Sequence, residues 1–153
     1  MNARPRLRPA VGLAASLLVL TACGLEKPAP IVTVVSGGES VYTEAATWCF
    51  EGQTPPDCAE RAEGVTELSV RGGETVGVDV GKQLVDNGWI VELTDPEAEQ
   101  PAEPDRSEPQ TGHYFTFEAP NLRSGASLLL TVRSLDEEAE PNGEWRFRLT
   151  PRT

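Results

Sequence analysis

Few side chains in this sequence are of types that do chemistry: it has one histidine, three cysteines and 24 carboxylates. A blue-copper site takes two histidines, a thiolate and a weak axial ligand, and a structural zinc site takes four ligands, so His113 alone supports neither. Serine hydrolysis would need His113 as its base, and no G-x-S-x-G motif is present. We predict that His113 is a structural or surface residue, with no catalytic residue, metal site or cofactor in the chain.

The carboxylates leave two alternatives open. A pair of them could cleave a glycosidic bond, and an acidic run such as 136–138 could bind calcium. No pair is set apart from the others by its spacing, and the run lacks the Asp/Asn spacing and the glycine of an EF-hand loop.

Cys23 ends an N-terminal pattern that is typical of export. Three arginines precede an apolar run at positions 9–20, which is too short to span a bilayer because a spanning helix needs roughly 20 residues. Small residues then lead into the cysteine. The tetrapeptide Leu20-Thr21-Ala22-Cys23 resembles the lipobox of bacterial lipoproteins.

The lipobox resemblance implies cleavage between Ala22 and Cys23, with diacylglyceryl and N-acyl groups attached to Cys23. Several acyl chains anchor a protein stably, whereas one anchors it marginally. We therefore expect a signal peptide at 1–22, a lipidated cysteine and tether at 23–30, and one domain at 31–153. The domain would stand on the extracytoplasmic face of a bacterial cell membrane. An ordinary secretory signal with an unrelated cysteine is the alternative.

Cys49 and Cys58 remain as a pair once Cys23 is assigned to lipid. In an oxidising compartment such a pair is most simply explained as a disulfide. Eight residues separate the two cysteines, so a C-x-x-C redox motif is excluded. Two free thiols are the alternative.

The charge balance is strongly acidic. The full chain carries a net charge of −11, and loss of the three signal-peptide arginines would leave −14. Such a charge argues against nucleic acid as a partner and against a domain that lies flat on an anionic membrane. The partner class we expect is an envelope protein or a glycan.

Short runs of alternating apolar residues recur after residue 30, separated by Gly, Pro, Asn and Asp. This pattern predicts seven or eight short strands and almost no helix. The strands are expected at 31–35, 41–42, 68–70, 76–80, 89–93, 114–117, 128–132 and 145–149. Such a set fits an all-β, two-sheet antiparallel β-sandwich of immunoglobulin-like or cupredoxin-like kind. Trp89 and Trp145 are expected in its core, and Trp48 is expected to shield the disulfide.

Three connections carry specific expectations. Gly72-Gly73 should close a tight hairpin between 68–70 and 76–80, because Gly-Gly supplies the positive φ angles that such turns need. One helical turn is expected near 59–62. The acidic stretches 95–110 and 136–144 bury too little apolar surface to offset the entropy of ordering, so mobile, solvated loops are expected there.

The lipobox, the early cysteine pair and three later segments together resemble a domain-of-unknown-function family of small actinobacterial membrane-anchored lipoproteins. The later segments are Gly73–Val80, Gly88-Trp89 and Trp145–Leu149. The resemblance covers nearly the whole chain and implies an exported, anchored sandwich without catalytic residues. The acidic stretch 95–110 is longer than such a domain requires.

These observations favour a non-catalytic surface module that binds an envelope partner through its loops or sheet edges. An envelope glycan-acting enzyme that uses carboxylates is the first alternative. A carrier of a small ligand or of calcium is the second.

Overall fold

The computed structural model describes residues 28–50, 58–60, 65–98 and 103–153. Within them the chain forms eleven strands and the short helix α1 (Lys82–Val85). The strands are β1 (Ile31–Ser36), β2 (Glu39–Glu44), β3 (Thr47–Trp48), β4 (Ala59–Glu60), β5 (Thr66–Val70), β6 (Thr75–Val80), β7 (Trp89–Thr94), β8 (Asp105–Arg106), β9 (Tyr114–Glu118), β10 (Leu128–Leu135) and β11 (Pro141–Pro151). The predicted signal peptide, Ala22 and Cys23 lie outside the described residues.

The strands build two sheets that face each other. Sheet A has the order β2-β1-β6-β9, and sheet B has the order β4-β3-β11-β10-β7-β8. Strand β5 adds to sheet B in parallel with the end of β11, and the other pairings are antiparallel. The predicted two-sheet β-sandwich is confirmed. Among the described residues no helix has the length and apolarity needed to cross a membrane.

The core lies between the sheets and follows the predicted alternation. On β11, Trp145, Phe147 and Leu149 are fully buried, while Arg146 and Arg148 between them are exposed. Successive side chains of a strand point to opposite faces, so this strand places one face in the core and the other in water.

The large aromatic residues of the core satisfy their polar groups internally. The indole N–H of Trp145 donates to the Pro30 carbonyl, and that of Trp89 donates to the Gly112 carbonyl, each at 2.8 Å. The ring of Trp48 packs against Trp145 with centroids 5.6 Å apart. Both predicted core tryptophans are thus confirmed as core residues.

The hairpin predicted at Gly72-Gly73 is wrong. Strands β5 and β6 belong to different sheets, because β5 pairs with β11 while β6 pairs with β1 and β9. The Glu74 N–H does donate to the Arg71 carbonyl, but only Gly73 has a positive φ, of 77°. Two-residue hairpin turns need a positive φ at the first central residue, so this turn carries the chain between sheets instead.

A different Gly-Gly pair closes a hairpin. Gly37 and Gly38 have φ values of 55° and 83°, and Ser36 lies opposite Glu39 in the pairing of β1 with β2. Positive φ at both central residues is the signature of a type I′ turn, whose twist matches that of the flanking strands.

Two further expectations are corrected by strand pairing. Residues 59–60 form β4 against β3 and no helical turn, while 61–62 lie outside the described residues. The acidic stretch 95–110 is not a loop throughout, because β8 pairs with β7 and Gln110 forms a bridge with Trp89.

The acidic stretch 136–144 is ordered by its own turn. Asp136 Oδ1 accepts the N–H groups of Glu138 and Glu140 at 2.9 Å each, and the Asp136 N–H donates to the Glu140 carbonyl. Strand β11 then begins at Pro141. Residues 136–140 are thus the exposed turn of a hairpin that joins β10 to β11, and the remainder of the expected loop, 141–144, is part of β11.

Cys49 and Cys58 form the predicted disulfide. The two residues continue the antiparallel pairing of β3 with β4 by one position. Both are buried, and the Cys49 N–H donates to the Asn142 carbonyl at 2.9 Å. The disulfide holds the short strand β4 against β3 at one edge of sheet B.

Candidate binding edge

Strand β9 forms one edge of sheet A, and within the described residues only β6 pairs with it. The Val80 N–H donates to the His113 carbonyl, and the Ala119 N–H donates to the Glu74 carbonyl, which fixes the residues that exchange hydrogen bonds. In an antiparallel ladder the residues between such pairs direct their N–H and C=O groups to the opposite side. The residues of β9 that are directed away from β6 are Tyr114, Thr116 and Glu118.

The inner face of β9 is incompletely covered. Phe115 and Phe117 point inward, since they alternate with the exposed residues of this strand. Their rings stack with centroids 6.3 Å apart, and Trp89 meets Phe115 edge-on at 6.4 Å. Both phenylalanines remain half-buried, whereas the inward valines of the neighbouring strand β6 are buried. The apolar interior therefore reaches solvent beside β9.

A cleft of about 120 Å³ lies beside these phenylalanines, between β9 and the pair β7–β8. Its lining residues are Val91, Leu93, Asp105, Arg106, Ser107, Phe115 and Phe117. The first two and the last two are apolar, so the cleft has an apolar interior and a polar rim. We call the unpaired side of β9 together with this cleft the open edge.

Strand β8 and the residues after it form the far wall of the cleft. The Val91 N–H donates to Ser107 Oγ at 3.0 Å, and the Ser107 N–H donates to the Val91 carbonyl at 2.9 Å. Gln110 and Trp89 exchange backbone hydrogen bonds of 2.7 and 3.1 Å. The described end of the acidic stretch, residues 103–110, thus covers the edge of β7 and forms no strand pairing with β9.

Three charged side chains lie at the open edge, and two of them are acidic. Arg106 is already engaged, because its Nη2 lies 2.5 Å from Glu92 Oε1. Asp105 and Glu118 are exposed, and neither forms a salt bridge within the part of the chain that the structure describes.

An exposed tyrosine lies on the outer face of sheet A at the open edge. Tyr114 is 55% exposed there, whereas Tyr42, which is 68% exposed, lies on β2 at the opposite edge of the sheet. Gly77 lets the Tyr114 ring lie across β6, because a Cβ at Gly77 would fall 1.9 Å from the Tyr114 hydroxyl oxygen. Gly77 thus leaves room for this orientation of the exposed tyrosine, whose backbone lies on the unpaired side of β9.

His113 precedes β9 and is exposed. Its Nδ1 lies 3.0 Å from the Val80 carbonyl oxygen, next to the backbone bond that starts the β6–β9 ladder. Among the described residues no group of three or more His, Cys, Asp or Glu side chains is placed to hold a metal ion. His113 is thus an exposed residue whose ring contacts the backbone of the neighbouring strand.

The open edge could not be located from the sequence. Residues 114–117 are recognisable as a strand, but their place at an edge depends on which distant strands pair with them. A partial signal exists: no lysine or proline occurs between 113 and 119, and these are residues that commonly block exposed edges.

Away from the open edge, Arg152 ties the two sheets together. Its Nη2 donates to the carbonyls of Ser36 in sheet A and Ser69 in sheet B at 3.2 and 2.6 Å. Its Nη1 lies 3.2 Å from Glu74 Oε1. The pKa of Glu74 is lowered, and the largest cause is the hydrogen bond that its carboxylate accepts from the Arg71 N–H. The Ser36 hydroxyl and the charge of Arg152 lower this pKa further, whereas desolvation of the carboxylate raises it.

The lowered pKa of Glu74 predicts a pH-dependent stability. A depressed carboxyl pKa stabilises the fold above the ordinary value of 4.5, and this contribution is lost as the pH falls from there through the folded pKa. We expect the gap in unfolding free energy between the wild type and Glu74→Gln to be constant at neutral pH and to shrink below pH 4.5. Urea unfolding at several pH values measures it. A gap of unchanged size at pH 3 would contradict the assignment.

Comparisons with known proteins identify no family. No protein-family model matches the sequence, and no curated protein matches it. Among solved structures the chain is similar to the soluble domain of PmoD from Methylocystis sp. ATCC 49242 (Rockwell), with a TM-score of 0.41 and 13% identity. The match covers 78% of this chain and 90% of that chain. A likeness at this level supports no inference about function.

Proposed function

We propose that this protein is an exported, lipid-anchored module without catalytic activity, which binds another component of the bacterial envelope. Export and anchoring rest on the N-terminal pattern that ends at Cys23. Membership of the actinobacterial lipoprotein family stays a prediction from the sequence.

The observation that supports binding is the open edge. Edge strands with unpaired N–H and C=O groups are templates for pairing with another chain, and proteins normally cover, shorten or charge them. Here three residues of β9 direct their backbone groups outward, and the half-buried Phe115 and Phe117 lie directly beside them. A module that binds a partner there gains both hydrogen bonds and apolar burial.

The alternatives have less support among the described residues. Glu92 and Glu144 are both bound by Arg133, at 2.8 and 3.1 Å, so these two carboxylates are engaged in structural ion pairs. Asp136, in the run considered for calcium, uses its Oδ1 to cap its own turn. Neither arrangement favours glycan cleavage or a calcium site.

Anchoring is tested by Cys23→Ser. We expect the variant to leave the membrane fraction or to accumulate as the unprocessed precursor, since the thiol that carries the lipid is missing. Cell fractionation and intact-mass analysis measure this. Cys49→Ala with Cys58→Ala is the control, because it removes the other two cysteines and should leave fractionation unchanged. A Cys23→Ser protein that stayed on the membrane at normal mature mass would contradict the proposal.

Binding is tested by a photo-reactive residue at Thr116, on the open edge, compared with one at Arg148, on the outer face of sheet B. Both positions are exposed. We expect a reproducible cross-linked partner in living cells from position 116 and not from position 148. Capture from position 148 alone would show that the binding surface is not the open edge. Capture from neither position would contradict the proposed binding function.

A further inference from the structure

The chemistry of the open edge specifies the kind of partner that it fits. The unpaired groups of Tyr114, Thr116 and Glu118 are alternating donors and acceptors on one side of an extended strand. The ligand that satisfies such a row is another extended polypeptide, which adds to the sheet as a strand.

The cleft adds a requirement on the side chains of that polypeptide. A strand paired with β9 would point every second side chain inward, next to Phe115 and Phe117 and above Val91 and Leu93. These inward positions favour aliphatic residues, because they would complete the apolar interior that is now half-exposed.

Charge determines which side chains are favoured at the outward-facing positions of the added strand. The outward side chains of an added strand would lie beside Glu118, and the rim of the cleft carries Asp105, both exposed and without a salt bridge in the described ranges. Arg106 on the same rim is paired with Glu92. The chain as a whole carries a net charge of −11. A basic partner is therefore attracted, whereas a second copy of this acidic chain is repelled.

We propose that the open edge binds a basic, extended segment of an envelope protein, in which aliphatic and cationic residues alternate, by adding it to sheet A as a fifth strand next to β9. This inference rests on the proposed function and deepens it by naming the class of partner and the mode of binding.

The test uses a capped peptide of alternating valine and lysine as the probe and the full anchored protein in detergent, at physiological salt. Thr116→Pro is the blocking variant. The Thr116 N–H points away from β6, so proline there removes an outward donor and leaves the β6–β9 ladder intact. Thr116→Ala is the matched control, because it keeps the N–H. Thermal unfolding of both variants checks that they fold.

We expect the peptide to bind the wild type and Thr116→Ala equally and to bind Thr116→Pro at least about tenfold more weakly. Two altered peptides give the same test without a change in the protein. One has N-methyl groups on alternate residues, which block pairing, and the other has glutamate in place of lysine. Each is expected to bind the wild type at least about tenfold more weakly.

Three results would overturn the inference. Equal binding to the wild type and Thr116→Pro would show that charge alone attracts the peptide. No binding to the wild type would show that the edge accepts no such strand. Sedimentation that finds a dimer for the wild type and a monomer for Thr116→Pro would make a second copy the occupant. In each of these cases, a partner captured by cross-linking in cells would still support the proposed binding function, and only the inference about the kind of partner would fail.

Discussion

Replacement of Trp145 by alanine is expected to lower the free energy of unfolding by about 4–6 kcal/mol. Removal of a fully buried tryptophan costs roughly 3–5 kcal/mol through lost burial and the cavity left behind. Trp145 is fully buried, and its indole N–H is also the donor to the Pro30 carbonyl at 2.8 Å. The loss of that hydrogen bond adds about 1 kcal/mol.

The effect of Trp145→Ala is large relative to the stability of an ordinary domain, which is about 5–15 kcal/mol. Urea unfolding followed by circular dichroism measures it. Trp145→Phe is the control, since it keeps an aromatic ring in the core and removes only the indole N–H and part of the volume. We expect its loss to be less than half that of the alanine variant. A loss below about 1 kcal/mol for Trp145→Ala would show that the ring is not packed as described.

Removal of the disulfide is expected to cost about 2.7 kcal/mol. On the chain-entropy model, a bond that closes a loop of about 10 residues restricts the unfolded chain by this amount. The suitable variant is Cys49→Ala with Cys58→Ala, because alanine does not bury two new hydroxyl groups at these buried positions. The edge that carries β3 and β4 should loosen first, since among the described residues β4 pairs only with β3.

Urea unfolding with and without a reducing agent provides the check. The wild type should lose stability when it is reduced, and the double alanine variant should not respond. If reduction changed the two proteins equally, the disulfide would not be the source of the effect. A thiol reagent that modified both cysteines in the intact oxidised protein would exclude the bond altogether.

The two Gly-Gly pairs show what local sequence decides and what it does not. Both pairs are followed by glutamate and both make tight turns, yet one joins neighbours in sheet A and the other crosses between sheets. The difference lies in the φ of the first glycine, which is positive at Gly37 and not at Gly72. Glycine permits either conformation, so the tertiary pairing of the flanking strands makes the choice.

Alternation within a strand was predictable because it reflects burial of one face. The core positions of β11 and the core tryptophans follow directly from it. Strand β8 was not predictable, since Asp105 and Arg106 have little strand propensity and pair only because the edge of β7 is available. The open edge was hidden for the same reason, because an edge is defined by a missing neighbour and not by the residues of the strand itself.

The position of β1 determines how the domain would carry mechanical load. This strand follows directly after Pro30 and lies in the interior of sheet A, with β2 on one side and β6 on the other. If the tether proposed above is pulled, the load therefore enters at a strand held by two ladders of hydrogen bonds and not at an edge strand. Since β6 is the only strand between β1 and β9, tension between a membrane anchor and a partner held at the open edge would cross a single strand.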